Sequence, residues 1–399
     1  MRDFKVETSG LADEWPKEGP PKLWHRELGD GYAGMAVDGG RLYTMYRRVP
    51  EDEIEYTVAL DAKSGVTLWE KGAASPITEN MARFGPGPHS TPLVVDDRLY
   101  SVGANLDFRC FDATSGEILW EHDLLETYKF VVPTYGYAAS PLAYGSAVIV
   151  PVVGDEHAHQ KLVALDQKSG AVVWESERVD RGTSEHCAYA SPYVIRFSGE
   201  DQLLFMTNEQ LVGLDPQDGR LLWTHPCSSG TGVNVSTPVF DGKDIVFVSS
   251  AYDSGARAIR LKRRDGRTET EELWYSRKLR IHHGNAMLLG DHVYASSGDF
   301  GSALFLGMNV LTGKRAWADR RFAKANCVYA DGKLIILDEN GQLALATATP
   351  DGLDVRSTCQ VTERLSWTVP TLVGTTLYVR DRKHIMALDL SDGAQPSAG

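Results

Sequence analysis

Residues 162 to 175 read LVALDQKSGAVVWE. Apolar residues run up to Asp166, give way to polar positions, and resume after Gly170 towards Trp174. This pattern predicts a hairpin. A buried strand over 163–165 leads to an Asp whose side chain bonds its own backbone, a Gly closes the turn at positive φ, and a second strand returns. The pattern recurs in TVALDAKSGVTLWEKG with Asp61, Gly65 and Trp69, and in RCFDATSGEILWEHD with Asp112, Gly116 and Trp120. It occurs again in LVGLDPQDGRLLWTH with Asp215, Gly219 and Trp223. GMNVLTGKRAW has Asn309 at the Asp position, and Asn makes the same turn bond. LKRRDGRTETEELWY stretches the turn but keeps Gly266 and Trp274. LALATATPDGLDVR is a worn copy with Gly352 and no Trp, and IMALDLSDG keeps only Asp389 and Gly393.

From Trp69 to Trp317 the tryptophans recur at intervals of 51, 54, 49, 51 and 43 residues. A unit of that length holds four short strands, as in a propeller blade. The upstream halves agree: STPLVVDDRLYSVGA, ASPLAYGSAVIVPVV and STPVFDGKDIVFVSS each read as two strands around a polar turn. Six units end at Trp69, Trp120, Trp174, Trp223, Trp274 and Trp317, and the worn copy is a seventh. LSWTVPTLVGTTLYVRDRKHIMALDL supplies three strands of an eighth, while PPKLWHREL carries Trp24 with no turn before it. The expectation is an all-β, eight-bladed β-propeller of four-stranded antiparallel blades, closed by the N-terminal strand around Trp24 pairing near Asp389. Closure removes an exposed sheet edge. A sandwich does not repeat its sequence in this way. Residues 1–19 form an N-terminal extension, 20–393 one propeller, and 394–399 a disordered tail. Each seam between blades needs a large apolar plug, which the Trp supplies, and each indole N–H needs a partner there.

The formal charge of −13 argues against nucleic acid and anionic membranes. No apolar run is long enough to span a bilayer, and the opening residues lack the apolar core of a signal peptide. The five cysteines, Cys110, Cys187, Cys227, Cys327 and Cys359, form no CxxC pair, which disfavours structural zinc.

The Ala-Leu-Asp, Ser/Thr-Gly, Trp pattern resembles the PQQ-type propeller repeat, the unit of quinoprotein alcohol dehydrogenases and of BamB-like outer-membrane assembly scaffolds. The resemblance runs from about Trp15 to Gly393. It implies a monomeric extracytoplasmic propeller that binds a small polar ligand or a protein partner, with a cytoplasmic location as the alternative. The quinoproteins cover their PQQ with a ring of adjacent cysteines and hold calcium with Glu, Asn and Asp. No two cysteines are adjacent in this chain, and no such trio falls on a matching motif.

Chemistry in a propeller concentrates where loops lead into the innermost strands. In that position lie His89, Tyr137, His186, Asn234, His282, His283, Asn285, Lys324, Asn326 and Trp367. Three readings follow. His89, His186 and His283 could converge on a divalent metal. These imidazoles, with Tyr137, Tyr189, Asn234 and Lys324, could instead act without metal as acids, bases or substrate donors, with Asn234, Asn285, Asn326, Lys324 and Trp367 lining a cofactor or substrate funnel. In the third reading they are water-linked channel residues without a reaction. The principal expectation is a ligand- or protein-binding scaffold; the alternative is an enzyme, quinone-linked, cofactor-free or metal-dependent, using the same funnel. The long loop EKGAASPITENMARFGPGPHS, with Glu79, Asn80, Arg83 and Phe84, and HDLLETYKFVVPTYGY, with its amphipathic LLETYKF, are expected to fold over the mouth. Arg47 and Arg48 are read as a solvated hairpin tip.

Overall fold

The computed structural model describes residues 3–129, 132–154, 159–179, 188–227, 231–252, 254–299, 301–363 and 365–394. Its strands form eight antiparallel sheets in sequence order around a ring. Blade 1 begins at Ala36–Asp38, blade 2 at Leu93–Val95, blade 3 at Leu142–Tyr144 and blade 4 at Tyr193–Phe197. Blade 5 begins at Val239–Phe240, blade 6 at Ala286–Leu289, blade 7 at Ala325–Ala330 and blade 8 at Thr371–Val373. Each begins with its innermost strand. The outer strand of blade 8 is Lys22–Glu27, paired antiparallel to His384–Asp389 with Trp24 opposite Ala387. The ring is therefore an eight-bladed propeller closed by the N-terminal strand.

The turns form as the residue types dictate. Asp61 Oδ1 accepts from the backbone N–H groups of Lys63 and Ser64 and from the Ser64 hydroxyl, and Gly65 N–H bonds back to the Asp61 carbonyl at 2.8 Å. Asp112 and Asp166 repeat the bonds, and Asn309 makes them with Leu311 and Thr312.

The same turn is the socket for the preceding blade's indole. Trp69 donates to the Ala113 carbonyl at 3.0 Å, one residue past Asp112, and lies beneath Gly116. Trp24 does the same at Ala62 and Gly65, Trp120 at Gln167 and Gly170, and Trp274 at Val310 and Gly313. Each turn glycine thus both adopts positive φ and leaves room for a ring. Trp223 breaks the pattern, because the next turn is the stretched one. Its N–H finds Gln202 Oε1 at 2.7 Å, and its ring covers Gly213 of its own sheet. Between adjacent blades lie eight apolar clusters, one for each seam. Burial of these faces supplies the main stabilisation, at roughly 25 cal/mol per Å² of apolar surface.

The extension before residue 20 is built into the ring. Lys5–Val6 adds as a parallel fifth strand to the inner edge of blade 7, at the end away from the lead-in loops. Leu11 and Trp15 complete the cluster between blades 7 and 8, and Leu11 N–H bonds Asp331 Oδ2 at 3.0 Å. Two residues in a strand and two apolar anchors are too few for a periodic pattern to reveal.

Arg47 is not a solvated tip. It is fully buried, paired with Glu55 at 2.8 Å and bonded to the Ser75 carbonyl at 2.9 Å, while Glu55 Oε2 accepts from Ala104 N–H of blade 2. No helix among the described residues is long and apolar enough to cross a membrane.

The socket geometry separates two glycine substitutions that share a backbone conformation. A Cβ on Gly116 (φ +72°) would come 2.6 Å from Trp69, whereas one on Gly145 (φ +56°) meets nothing within 4 Å. Gly145→Ala is expected to cost about 1 kcal/mol for the left-handed conformation alone. Gly116→Ala is expected to cost a further 1–3 kcal/mol or so from overpacking. Chemical denaturation of the two variants measures the difference.

Candidate functional site

At the lead-in face the blades are joined by a circle of hydrogen bonds. Tyr32 N–H bonds the Pro88 carbonyl at 2.8 Å (blade 1 to 2), Thr91 N–H bonds Ser140 Oγ at 3.0 Å (2 to 3), and Ser140 N–H bonds Ser191 Oγ at 2.9 Å (3 to 4). Tyr189 N–H bonds the Asn234 carbonyl at 2.7 Å (4 to 5), and the Ser236 hydroxyl bonds the Gly284 carbonyl at 3.3 Å (5 to 6). Asn285 donates to the Cys327 carbonyl at 2.7 Å and accepts from Cys327 N–H at 2.9 Å (6 to 7). Asn326 donates to the Trp367 carbonyl at 2.9 Å (7 to 8), and Thr368 to the Tyr32 carbonyl at 3.0 Å (8 to 1).

Bordering this circle is a belt of rings. Tyr32 stacks on His89 at 5.5 Å between centroids and on Trp367 at 5.0 Å. Trp367 meets His283 at 4.5 Å, and His283 meets His282 at 4.9 Å. His282 Nε2 lies 2.7 Å from the Tyr252 hydroxyl. Tyr252 packs with Tyr135 on the cluster of Tyr189 and Val233. His89 returns to Tyr135 through a ring N–H to its backbone carbonyl. The helix α1 (Glu79–Phe84) sets exposed Phe84 edge-on to Tyr135 at 5.2 Å, at the rim.

The imidazoles are neutral. Burial pushes His89 down to about 4, partly opposed by its bond to the Tyr135 carbonyl. Burial, with the Lys324 charge, lowers His282 to about 4. Burial, His282 and Lys324 hold His283 well below the ordinary 6.5. Burial raises the Tyr32 and Tyr252 hydroxyls to about 12. His89 Nε2, both ring nitrogens of His283, the Tyr32 hydroxyl, Asn326 Oδ1 and Asn234 Oδ1 are buried without a protein partner. A polar atom so placed needs water or a ligand.

The residues expected from sequence are distributed as follows. His89, His283 and Trp367 stand in the belt, and Lys324 directly precedes the innermost strand of blade 7. Tyr137 is in the wall instead, its hydroxyl on the Pro151 carbonyl at 3.0 Å. Both ends of the Asn285 amide are used in the circle, and the buried Asn234 and Asn326 keep only an oxygen free. His186 lies outside the described residues. His89 and His283 are separated along the belt by Tyr32 and Trp367, and no group of three His, Cys, Asp or Glu that could hold a metal is found among the described residues. Tyr32, Tyr135 and Tyr252 were not foreseen. Tyr32 occupies the lead-in position of blade 1 in GDGYAGM, so the repeat could have revealed it; Tyr252 comes from a loop with no repeated signal.

The chain belongs to the family described as outer membrane protein assembly factor BamB, whose profile matches residues 17–127 and 53–319. Among characterised proteins it is 26% identical over 148 residues to quinoprotein alcohol dehydrogenase PedH of Pseudomonas putida, a stretch covering 36% of this chain and 24% of that enzyme. The match therefore spans about a quarter of the enzyme's length. A europium-containing methanol dehydrogenase superposes with a TM-score of 0.68 at 13% identity, over 97% of this chain and 87% of that one. A quinohemoprotein alcohol dehydrogenase from Comamonas testosteroni superposes with a TM-score of 0.62 at 12% identity, over 98% and 78%. At these identities the structures share the fold.

Among the described residues the unsatisfied polar atoms of this mouth are imidazole nitrogens, amide oxygens and a hydroxyl, and no group of three His, Cys, Asp or Glu is found that fits the metal accompanying the quinone in the dehydrogenases.

Because His89 refuses a proton that the unfolded chain takes up, folding weakens as pH falls from about 6.5 to about 4. His89→Gln removes that share. Its Tm is expected to fall less steeply than that of the unsubstituted protein across this window in calorimetric scans; parallel curves would contradict a neutral, buried His89.

Proposed function

We propose that this propeller binds and orients a flat, polar small molecule in the ring-lined mouth of its channel, as an enzyme-type site rather than an assembly scaffold. The observation that carries the reading is the belt itself: rings for stacking, interleaved with buried polar atoms that no protein group satisfies. An apolar cleft with a few convergent polar groups is the usual form of a small-molecule site. The names of the superposing dehydrogenases support a small-molecule site on this fold. The family's description supports a setting outside the cytoplasm.

Each group has a definite part. Trp367 is held by its N–H on Glu339 Oε2 at 2.9 Å and lies in ring contact with Tyr32 and His283. Neutral His283 offers one donor and one acceptor. Imidazoles held this far below neutrality are poor bases at pH 7, so they act by hydrogen bonding to the ligand. The Tyr252 hydroxyl and His282 Nε2 share a hydrogen bond at 2.7 Å whose direction follows the His282 tautomer.

The test uses a flat heteroaromatic probe, quinoline-2-carboxylate, and its neutral carboxamide. Calorimetric titration is expected to show binding of at least one of them. Trp367→Leu is expected to weaken it by roughly 1–3 kcal/mol, the scale of a lost stacking face. If neither probe binds, or Trp367→Leu binds equally well, the funnel reading fails. A scaffold would tolerate Trp367→Leu and select a protein partner instead.

A further inference from the structure

In blades 1, 2, 3, 4 and 6 the two outer strands make one residue pair between the bulge and the turn, such as Leu60 with Thr67 and Leu214 with Leu221. In blade 5 the strands Gly255–Arg264 and Arg267–Ser276 continue for six pairs past the bulge, from Ile259 with Glu272 to Arg264 with Arg267. The neighbouring strand Ile245–Ser250 reaches only Arg260, so the last four pairs form a two-stranded ribbon. Strand Gly255–Arg264 starts opposite Ser250, whose hydroxyl bonds the Val233 carbonyl on the lead-in side. The ribbon therefore projects from the opposite face of the ring, away from the mouth. Blade 7 also lengthens its hairpin, and there the added length takes an indole, because the Thr349 carbonyl accepts the Trp317 N–H at 2.8 Å. The blade 5 ribbon takes none: Trp223, the indole of that seam, turns back to Gln202 of its own blade. Giving up a repeated socket for a polar projection is the kind of local departure that marks functional parts.

The two faces of the ribbon differ. Towards blade 4, Arg263 donates to both carboxylate oxygens of Glu200 at 2.6 and 2.7 Å, and Thr268 Oγ1 accepts from Gln202 Nε2 at 2.8 Å. These contacts hold the ribbon to its neighbour. Alternate residues face the other way. There Lys262 pairs with Glu271 at 2.7 Å, but at the tip Arg264 has only a 3.6 Å contact with Glu269, and Arg267 has no ion pair among the described residues. Arg264 and Arg267 stand directly opposite each other across the Asp265–Gly266 turn, whose residues have φ of 48° and 75°. Like charges so placed are destabilising. Both arginines are exposed, and a Cβ on Gly266 would have no neighbour within 4 Å. From Arg260 to Arg267 five of eight residues are basic, in a chain whose formal charge is −13.

We propose that this tip docks an acidic segment of a protein partner, with the Arg264 and Arg267 guanidiniums taking a carboxylate from two sides. A carboxylate held between two planar forks offsets the repulsion that the free ribbon carries. A short acidic segment meets the tip alone. Duplex nucleic acid and anionic lipid surfaces extend past it and meet the surplus negative charge of the rest of the ring. The docking site lies on the face opposite the mouth and does not depend on the small-molecule reading.

The test titrates the full chain into a fluorescently labelled deca-glutamate peptide and follows its anisotropy. Saturable binding that weakens as salt rises is expected. Arg264→Gln combined with Arg267→Gln is expected to weaken it about three- to thirty-fold, the range of two exposed charge pairs. The same variant is expected to keep or raise the Tm, because a repulsive pair is removed. Lys314→Gln combined with Arg315→Gln removes the same charge from the exposed turn and outer strand of blade 6 and is expected to leave binding unchanged. Duplex DNA and phosphatidylserine vesicles are expected not to bind. Absence of saturable peptide binding, an equal loss in the blade 6 variant, or a lower Tm in the Arg264, Arg267 variant overturns the proposal. Binding of the DNA or the vesicles more tightly than the peptide overturns it as well.

Discussion

The circle of hydrogen bonds at the lead-in face is the constraint on which the rest depends. Each innermost strand begins only after a polar group has crossed to the next blade, from Tyr32 and Pro88 round to Thr368 and Tyr32 again. Backbone groups at such depth need partners, and the repeated Ser, Thr and Asn positions supply them. With the circle complete, blade-to-blade spacing is set at the axis. The lead-in loops then bring Tyr32, His89, His282, His283 and Trp367 to the mouth. Asn285 is wholly used as a joint of this circle, whereas Asn326 joins blades 7 and 8 through its N–H and keeps Oδ1 unsatisfied, and both ring nitrogens of His283 are unsatisfied as well.

How much of this could be read in advance follows from periodicity. The Asp-to-Gly turn and the following Trp repeat, so blade number and closure through Trp24 were legible. What the indole touches was only half legible. The need for an N–H partner was evident, but the socket is the next blade's turn, a relation between residues 38 and 44 apart for Trp24 and Trp69 that no local pattern displays. At the mouth, lead-in position alone found His89, His283 and Trp367. It also swept in Tyr137, because the loop before blade 3 bends once more and turns that side chain into the wall, where Pro151 satisfies its hydroxyl. Tyr252 escaped because it arrives from a different loop class. Arg47 escaped because a charged run looks solvated until its partner Glu55, eight residues on, is seen buried with it.

Fold and activity separate cleanly in this architecture. What this chain shares with the superposing proteins named as dehydrogenases is the fold, at 12–13% identity. Function lives in the residues each blade sends to the mouth. At 13% identity, shared architecture with a europium-containing enzyme is a statement about the fold and not about chemistry at the site.

The seam between blades 8 and 1 shows how closure and site are linked. It joins residues more than three hundred positions apart, so its loop-closure cost is the largest in the ring. It is also the seam with the most buried charge. Arg380, fully buried and lowered to about 10 by that burial, donates to the Ala33 and Met45 carbonyls at 3.1 and 2.9 Å. Arg382 reaches Asp30 and lies 5.5 Å over the Tyr32 ring. Buried ionic contacts add little net stability but penalise every mismatched arrangement. An apolar seam would accept neighbouring registers; this one accepts a single partner. The stacked pair at the centre of the proposed site, Tyr32 on Trp367, straddles that same seam. Its two rings come from opposite ends of the chain, so the stacking face exists only in the closed ring, and the charges that specify closure also assemble the mouth.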